Sequence, residues 1–171
     1  MPGSAEAVNA DFDAVVAQSD YPMWVVTTVA DGQRSGCLVG FASQASIEPR
    51  RFLVCLSKAN DTYRVAGGAT HVAVHLLTAD ALAIAELFGT ETGPEIDKFE
   101  HCEWYEGPHR LPILAAASAW FAGKIMHRSD FGDHEGLLVS PDAAGASRHG
   151  AAVLRYGDVA NLKPGHPVSK R

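Results

Sequence analysis

Residues 23–30 (MWVVTTVA) are apolar and rich in β-branched side chains, and Asp31-Gly32 follows them at once. Such a run favours an extended strand, and an Asp-Gly pair favours the tight turn of a β-hairpin. This constrains the fold more than any other feature, because two strands joined by a two-residue turn must be antiparallel neighbours. The expected return strand is 34–44 (RSGCLVGFASQ), with Gly36 and Gly40 inside it. Glycine weakens a strand unless something approaches the backbone closely there.

The same reading places strands at 52–57, 70–77, 119–128, 134–139 and 151–156. Short helices are expected at 5–18, where Phe12, Val15 and Val16 fall at helical spacing, and at 60–69, capped by Asn60 or Asp61. A third is expected over 80–89, from Asp80 to Gly89, and a further short one at 94–99. The stretch 103–112, with Gly107-Pro108 and Pro112, reads as loop. Strands and short helices without regular βαβ alternation predict a mainly β, α+β chain, a largely antiparallel barrel with helical insertions.

Composition narrows the function. The chain has 171 residues, enough to bury a core without staples, and a net charge of −6 that argues against nucleic-acid or anionic-membrane partners. Met1 to Ala10 carries no basic residue and no apolar run, so no signal peptide is expected there. Cys37, Cys55 and Cys102 are odd in number and far apart, which suggests reduced thiols in a cytoplasmic protein. No GxGxxG, P-loop or GxSxG motif is present, which speaks against a Rossmann dehydrogenase, a P-loop NTPase and a serine hydrolase. His71 and His75 lie four apart and His101 adjoins Cys102, yet neither pair has the short-loop spacing of zinc ligands. The histidines therefore read as half-exposed, and no metal site is expected.

Two segments carry chemistry. Gly36 to Arg50 (GCLVGFASQASIEPR) joins an apolar strand to a small polar end, Ser43, Gln44 and Ser46. Small residues let backbone N–H groups reach a ligand, and hydroxyls suit phosphate or a pyrimidine edge. On composition alone the same segment reads first as a hairpin strand running into a polar loop. Ser57-Lys58-Ala59-Asn60-Asp61-Thr62 ends a strand and opens a helix, a place where anions bind or where a helix is simply capped.

In order and spacing, five pieces resemble the flavin reductase-like, FMN-binding split-barrel family. They are Pro22 with Val25-Val26-Thr27-Thr28, then Gly36 to Pro49, then Phe52 to Ser57 with Thr62, then Asp97-Lys98-Phe99, then Gly132-Asp133-His134. The family pattern resembles G-x-T-V-N-A-F-T-S-x-S-x-D-P-P. Here Leu38, Gly40 and Arg50 stand where it has threonine, asparagine and its second proline. These departures remove polar side chains from the ring contacts and leave backbone contacts to replace them.

The resemblance implies a split β-barrel over 21–162, an N-terminal helix or arm over 1–20 and a tail over 163–171. It implies that Val39, Gly40, Phe41, Ala42, Ser43, Gln44, Ala45 and Ser46 line the flavin ring and ribityl chain. Ser57, Lys58, Asn60 and Thr62 would sit near the phosphate, Lys98 and Phe99 would close the pocket, and His134 would face the nicotinamide. The implied activity is an NAD(P)H:flavin oxidoreductase, passing hydride from NADH or NADPH to FMN or FAD, as a homodimer, with a monooxygenase as a partner for the reduced flavin. Two alternatives stay open: a carrier or sensor that binds flavin without turnover, and a flavoenzyme that retains FMN and reduces an organic substrate.

Overall fold

The computed structural model describes residues 3–146 and 151–165. One seven-stranded sheet organises the chain. Its strands are β1 (Trp24–Ala30), β2 (Gln33–Val39), β3 (Ala42–Ser46), β4 (Arg51–Ser57), β5 (His71–Leu76), β8 (Ala119–Asp130) and β9 (His134–Ala146). They lie in the order β2-β1-β5-β8-β9-β4-β3, and every neighbouring pair is antiparallel. Asp31 (φ 49°) and Gly32 (φ 76°) make the first turn, both with the positive φ that a tight hairpin turn demands.

Among the described residues no ladder joins the two edge strands, so the sheet is not closed into a barrel. The edges are nonetheless close along the chain. The expected strand 34–44 divides at Gly40-Phe41, its first part forming the β2 edge and its second the opposite β3 edge. Gly40 packs against Tyr21, and a Cβ there would meet Tyr21 Cε2 at 2.5 Å. That close approach is what the in-strand glycine signalled.

Helices cover parts of the sheet. They are α1 (Ala5–Ala17), α2 (Asp61–Ala66), α3 (Leu82–Thr90) and α4 (Tyr156–Val159). Asn60 caps α2, its Oδ1 accepting from the Thr62 amide at 3.0 Å. The expected helix 80–89 is a 3-10 turn over Ala79–Ala81 leading into α3, and 94–99 contains only a 3-10 turn at Lys98–Glu100. No residue of α1 is buried, so Val8, Phe12 and Val15 stand exposed.

Three further expectations need correction. The loop 103–112 contains β6 (Trp104–Glu106), which pairs with β7 (Pro112–Leu114) around a tight turn. Residues 151–156 form two isolated bridges, Thr78 with Val153 and Pro22 with Arg155, rather than a strand. They tie the chain end to the start of the sheet before α4 turns it away. β9 runs seven residues past the expected 139, because its far half pairs with the long β8. Of the expected tail 163–171, residues 166–171 lie outside the described residues, as do Met1 and Pro2 of the expected arm.

The core divides into three clusters. Val25, Leu77, Phe88, Leu114 and Leu154 anchor one beneath α3, Val26, Val54, Leu56, Val74 and Leu137 anchor a second, and Ala73, Leu111, Ile113 and Ala122 form a smaller third. His75 is fully buried, not half-exposed as its sequence context suggested. Its Nδ1–H donates to the Val25 carbonyl at 3.0 Å and its Nε2 accepts from the Leu114 amide at 3.2 Å. Both ring nitrogens are thus committed to backbone, and burial pushes its pKa down to about 4. No described helix is long and apolar enough to cross a membrane.

Candidate functional site

A groove of about 240 Å³ opens where β2 leaves the sheet edge. Cys37, Leu38 and Val39 of β2 form one wall, and Gly40-Phe41 carries the chain across. Cys55 and Ser57 of β4, Asn60 and His134 line the far side, with Tyr21, Met23 and Tyr156 at the mouth. Register explains the meeting: Ser57 pairs with His134 across β4 and β9, and the Cys55 amide donates to the Phe41 carbonyl at 2.9 Å.

Aromatic rings follow one another around this groove. Tyr156 stacks on Tyr21 with centroids 5.1 Å apart, Tyr21 lies 6.2 Å from Phe41, and Phe41 lies 5.0 Å from the His134 ring. Phe41 is 47% exposed although it is large and apolar. Consecutive partly open rings offer stacking surface to a flat aromatic ligand. Burial raises the Tyr21 phenol above its ordinary value, with the neighbouring Tyr156 adding to the effect.

Burial pushes the Cys37 thiol up to about 11, outweighing the opposing pulls of Lys98 and Thr62, and burial also raises Cys55, both of which disfavour the thiolate. His134 is the groove's imidazole. Its Nδ1 lies 2.7 Å from Asp133 Oδ1, a contact in which an Nδ1–H donates to the carboxylate and orients the ring with Nε2 on the other side.

The sequence-derived residues distribute unevenly. Val39, Gly40, Phe41, Ser57, Asn60 and His134 meet in the groove. Ala42 packs on the inner core, and Ser43, Gln44 and Ala45 are exposed along edge strand β3, where Ser43 and Gln44 bond only to neighbouring backbone. Ser46 ends that strand at a register shift. Lys58 lines an adjoining depression of about 430 Å³ that shares Asn60, and its ammonium is 2.7 Å from Asp130. That hydrogen bond raises the lysine pKa and lowers the carboxylate's.

Three residues lie inside rather than in the groove. Thr62 is 1% exposed, and its hydroxyl is 3.0 Å from that of Ser35, joining α2 to β2. Lys98 is buried and donates to the Gly36 carbonyl at 3.0 Å and the Phe88 carbonyl at 3.2 Å. Its desolvation lowers its pKa, partly offset by neighbouring acidic groups. Phe99 packs edge-on to Phe88 and Trp104. Lys98 thus pins β2 immediately before the residues that wall the groove. Tyr21, Met23 and Tyr156 were not singled out from sequence, Cys37 and Cys55 were read only as reduced thiols, and Leu38 only as a departure from the family pattern.

Residues 17–158 match the family model described as flavin reductase like domain. A curated ferric-chelate reductase (NAD(P)H) from Archaeoglobus fulgidus is 29% identical over 148 residues, covering 85% of this chain and 86% of that protein. An FMN reductase (NADH) RutF from Ancylobacter novellus is 30% identical over 145 residues, covering 82% and 80%. Among solved structures, a nitrilotriacetate monooxygenase component B homologue from Mycobacterium thermoresistibile superposes with a TM-score of 0.76 at 20% identity, covering 98% of this chain and 95% of the other.

Proposed function

Because this chain belongs to the flavin reductase like domain family, we propose that it is an NAD(P)H-dependent flavin reductase that takes FMN, or FAD, in the groove walled by β2 and β4. The observation that carries the reading is the aromatic sequence Tyr156–Tyr21–Phe41–His134 around that groove. The residues present fit an isoalloxazine. The rings offer stacking faces, Gly40 keeps the crossing backbone low against Tyr21, and burial disfavours the Cys37 thiolate. When bound, the flavin supplies the hydride-accepting chemistry.

The protein's own part is position and exclusion. Phe41 and Tyr21 shield the ring from water, while Val39 and Gly40 present backbone to its polar edge. Ser57 and Asn60 are the polar end suited to the phosphate side. Lys58 joins them by leaving Asp130, an exposed pairing that costs little to break. Lys98 acts at one remove by fixing Gly36, and Thr62 by fixing α2. His134, oriented by Asp133, offers Nε2 to the carboxamide N–H of a nicotinamide. It moves no proton in hydride transfer itself.

The sheet reads as a split barrel whose open seam, between edges β2 and β3, is bridged by Gly40-Phe41. Residues 21–162 form the flavin domain, with 1–20 as an arm and 163–171 as a tail. A homodimer is the proposed assembly. Its support is a shallow apolar depression over Trp24, Leu76, Trp120, Phe121 and Ala144, together with the exposed stripe of α1. Three unpaired cysteines support a reducing, cytoplasmic setting, and reduced flavin released from an open groove would serve a monooxygenase.

The test is stopped-flow reduction of FMN by NADH. Wild type should quench flavin fluorescence on binding and oxidise NADH. His134→Ala should leave FMN affinity nearly unchanged and lower kcat/KM for the nicotinamide about tenfold, or about 1.4 kcal/mol of transition-state stabilisation. Tight FMN binding without NADH or NADPH oxidation would favour a carrier instead.

A further inference from the structure

A second cluster of chemistry-bearing side chains shares no residue with the groove. His71 opens β5, His109 sits in the turn between β6 and β7, and Asp142 lies in β9. The sequence separates them by 38 and 33 positions, so no local spacing announces them. The fold brings one ligand atom from each within 4.8 Å of the others.

The arrangement is built rather than incidental. β8 lies between β5 and β9, and a register shift between Ala122 and Gly123 leaves Asp142 as the extra, unpaired residue of a bulge. Bulges re-aim side chains. Here the intervening strand is reduced to Ala122 and Gly123, and a Cβ at Gly123 would strike the Ser140 carbonyl. The carboxylate therefore reaches across β8 towards His71. From the other side, the β6–β7 turn delivers His109 with φ 57°, a left-handed turn conformation.

The two imidazoles stack with centroids 3.8 Å apart and planes 16° from parallel. Both turn Nε2 to the same carboxylate. His109 Nε2 lies 3.0 Å from Asp142 Oδ2, and His71 Nε2 lies 3.9 Å from that oxygen, too far for a hydrogen bond. Nδ1 of His71 is held at 2.8 Å from the Thr70 hydroxyl. An anchored second nitrogen is the arrangement that orients a histidine towards a metal.

The geometry points to a site for a divalent first-row transition ion of the zinc class, ligated by His71 Nε2, His109 Nε2 and an Asp142 carboxylate oxygen. Two imidazoles exclude magnesium and calcium, which take oxygen ligands. At zinc bond lengths, tetrahedral ligand atoms lie about 3.3 Å apart, and reaching this turns the two imidazoles out of their parallel stack so that each Nε2 lone pair faces the ion. The exposed side leaves a fourth position for water. Binding would fasten the β6–β7 hairpin to the sheet and release no electrons.

Full-length protein freed of metal by chelator is titrated with Zn²⁺ by calorimetry, and with Co²⁺ by its visible absorption, at neutral pH. The expected result is one ion per chain and a rise in melting temperature with Zn²⁺. His109→Gly removes a ligand while accepting the positive φ without strain, so its loss of binding reports the ligand and not the backbone. Asp142→Asn should also abolish the site, Thr70→Val should weaken it about tenfold, and His127→Ala, elsewhere on β8, should leave it intact. FMN affinity should not change in any of these variants, which separates failure here from failure of the flavin reading. Absence of Zn²⁺ binding at micromolar protein overturns the proposal. So does binding that persists in both His109→Gly and Asp142→Asn.

Discussion

His75 accepts a hydrogen bond from the Leu114 amide through one nitrogen while donating from the other to Val25. Only the neutral tautomer satisfies both partners; a proton on Nε2 would face an N–H donor inside the core. Its folded-state pKa of about 4 lies below the ordinary 6.5. The unfolded chain therefore binds this proton first, and the associated stability, full above 6.5, is lost as pH falls from 6.5 towards 4. The loss is on the order of 2–3 kcal/mol. Urea midpoints measured across that window should fall in the wild type, and the fall should be much shallower in His75→Gln. Equal slopes would show that other groups carry the acid sensitivity. His75 had looked like an ordinary half-exposed histidine because its partners are backbone atoms of distant strands, which leave no pattern in the sequence. Lys98 escaped for the same reason, its ammonium being satisfied by two carbonyls rather than by a carboxylate.

At the scale of elements, α2 shows what was legible and what was not. Its start was readable from Asn60, because a cap is a local event between residues two apart. The direction of Thr62 was not readable, since it depends on Ser35 in a strand 27 positions earlier. This changes what a substitution should do. Thr62→Ala should destabilise the fold by about 1 kcal/mol, the usual worth of one hydrogen bond, and weaken FMN and riboflavin binding equally. Lys58→Ala should weaken FMN selectively and spare riboflavin, which lacks a phosphate. Paired fluorescence titrations with the two ligands separate these outcomes, and selective loss in Thr62→Ala would mean that its hydroxyl turns outward on binding. The strand 34–44 was read as one element because no proline interrupts it and Gly40 read as an in-strand glycine. Its division at Gly40 is imposed by Tyr21, which the sequence places 19 residues earlier.

Among the described residues, apolar surface suited to pairing lies on the stripe Val8–Phe12–Val15 of α1 and in the depression over Trp120 and Phe121, besides single exposed side chains such as Ile47 and Phe131. Light scattering should return twice the 18.2 kDa of one chain. Trp120→Glu should shift the mass towards one chain, and a single-chain mass for the wild type at all concentrations would refute the dimer. The antiparallel sheet was legible because hairpin turns and β-branched runs are local signals. The groove was only half legible, since its mouth joins Tyr21 to Tyr156 through the bridge between Pro22 and Arg155. The two-residue crossing at Gly40-Phe41 has a kinetic consequence. It carries the chain from the β2 edge to the opposite edge of the hydrogen-bonded order, and the groove is complete only when Ser57 of β4 has paired with His134 of β9, 77 positions later. Contacts this distant in sequence form late and slowly during folding. A nascent chain would thus be unable to capture its ligand until β9 has docked, and ligand capture would mark the completion of folding rather than guide it.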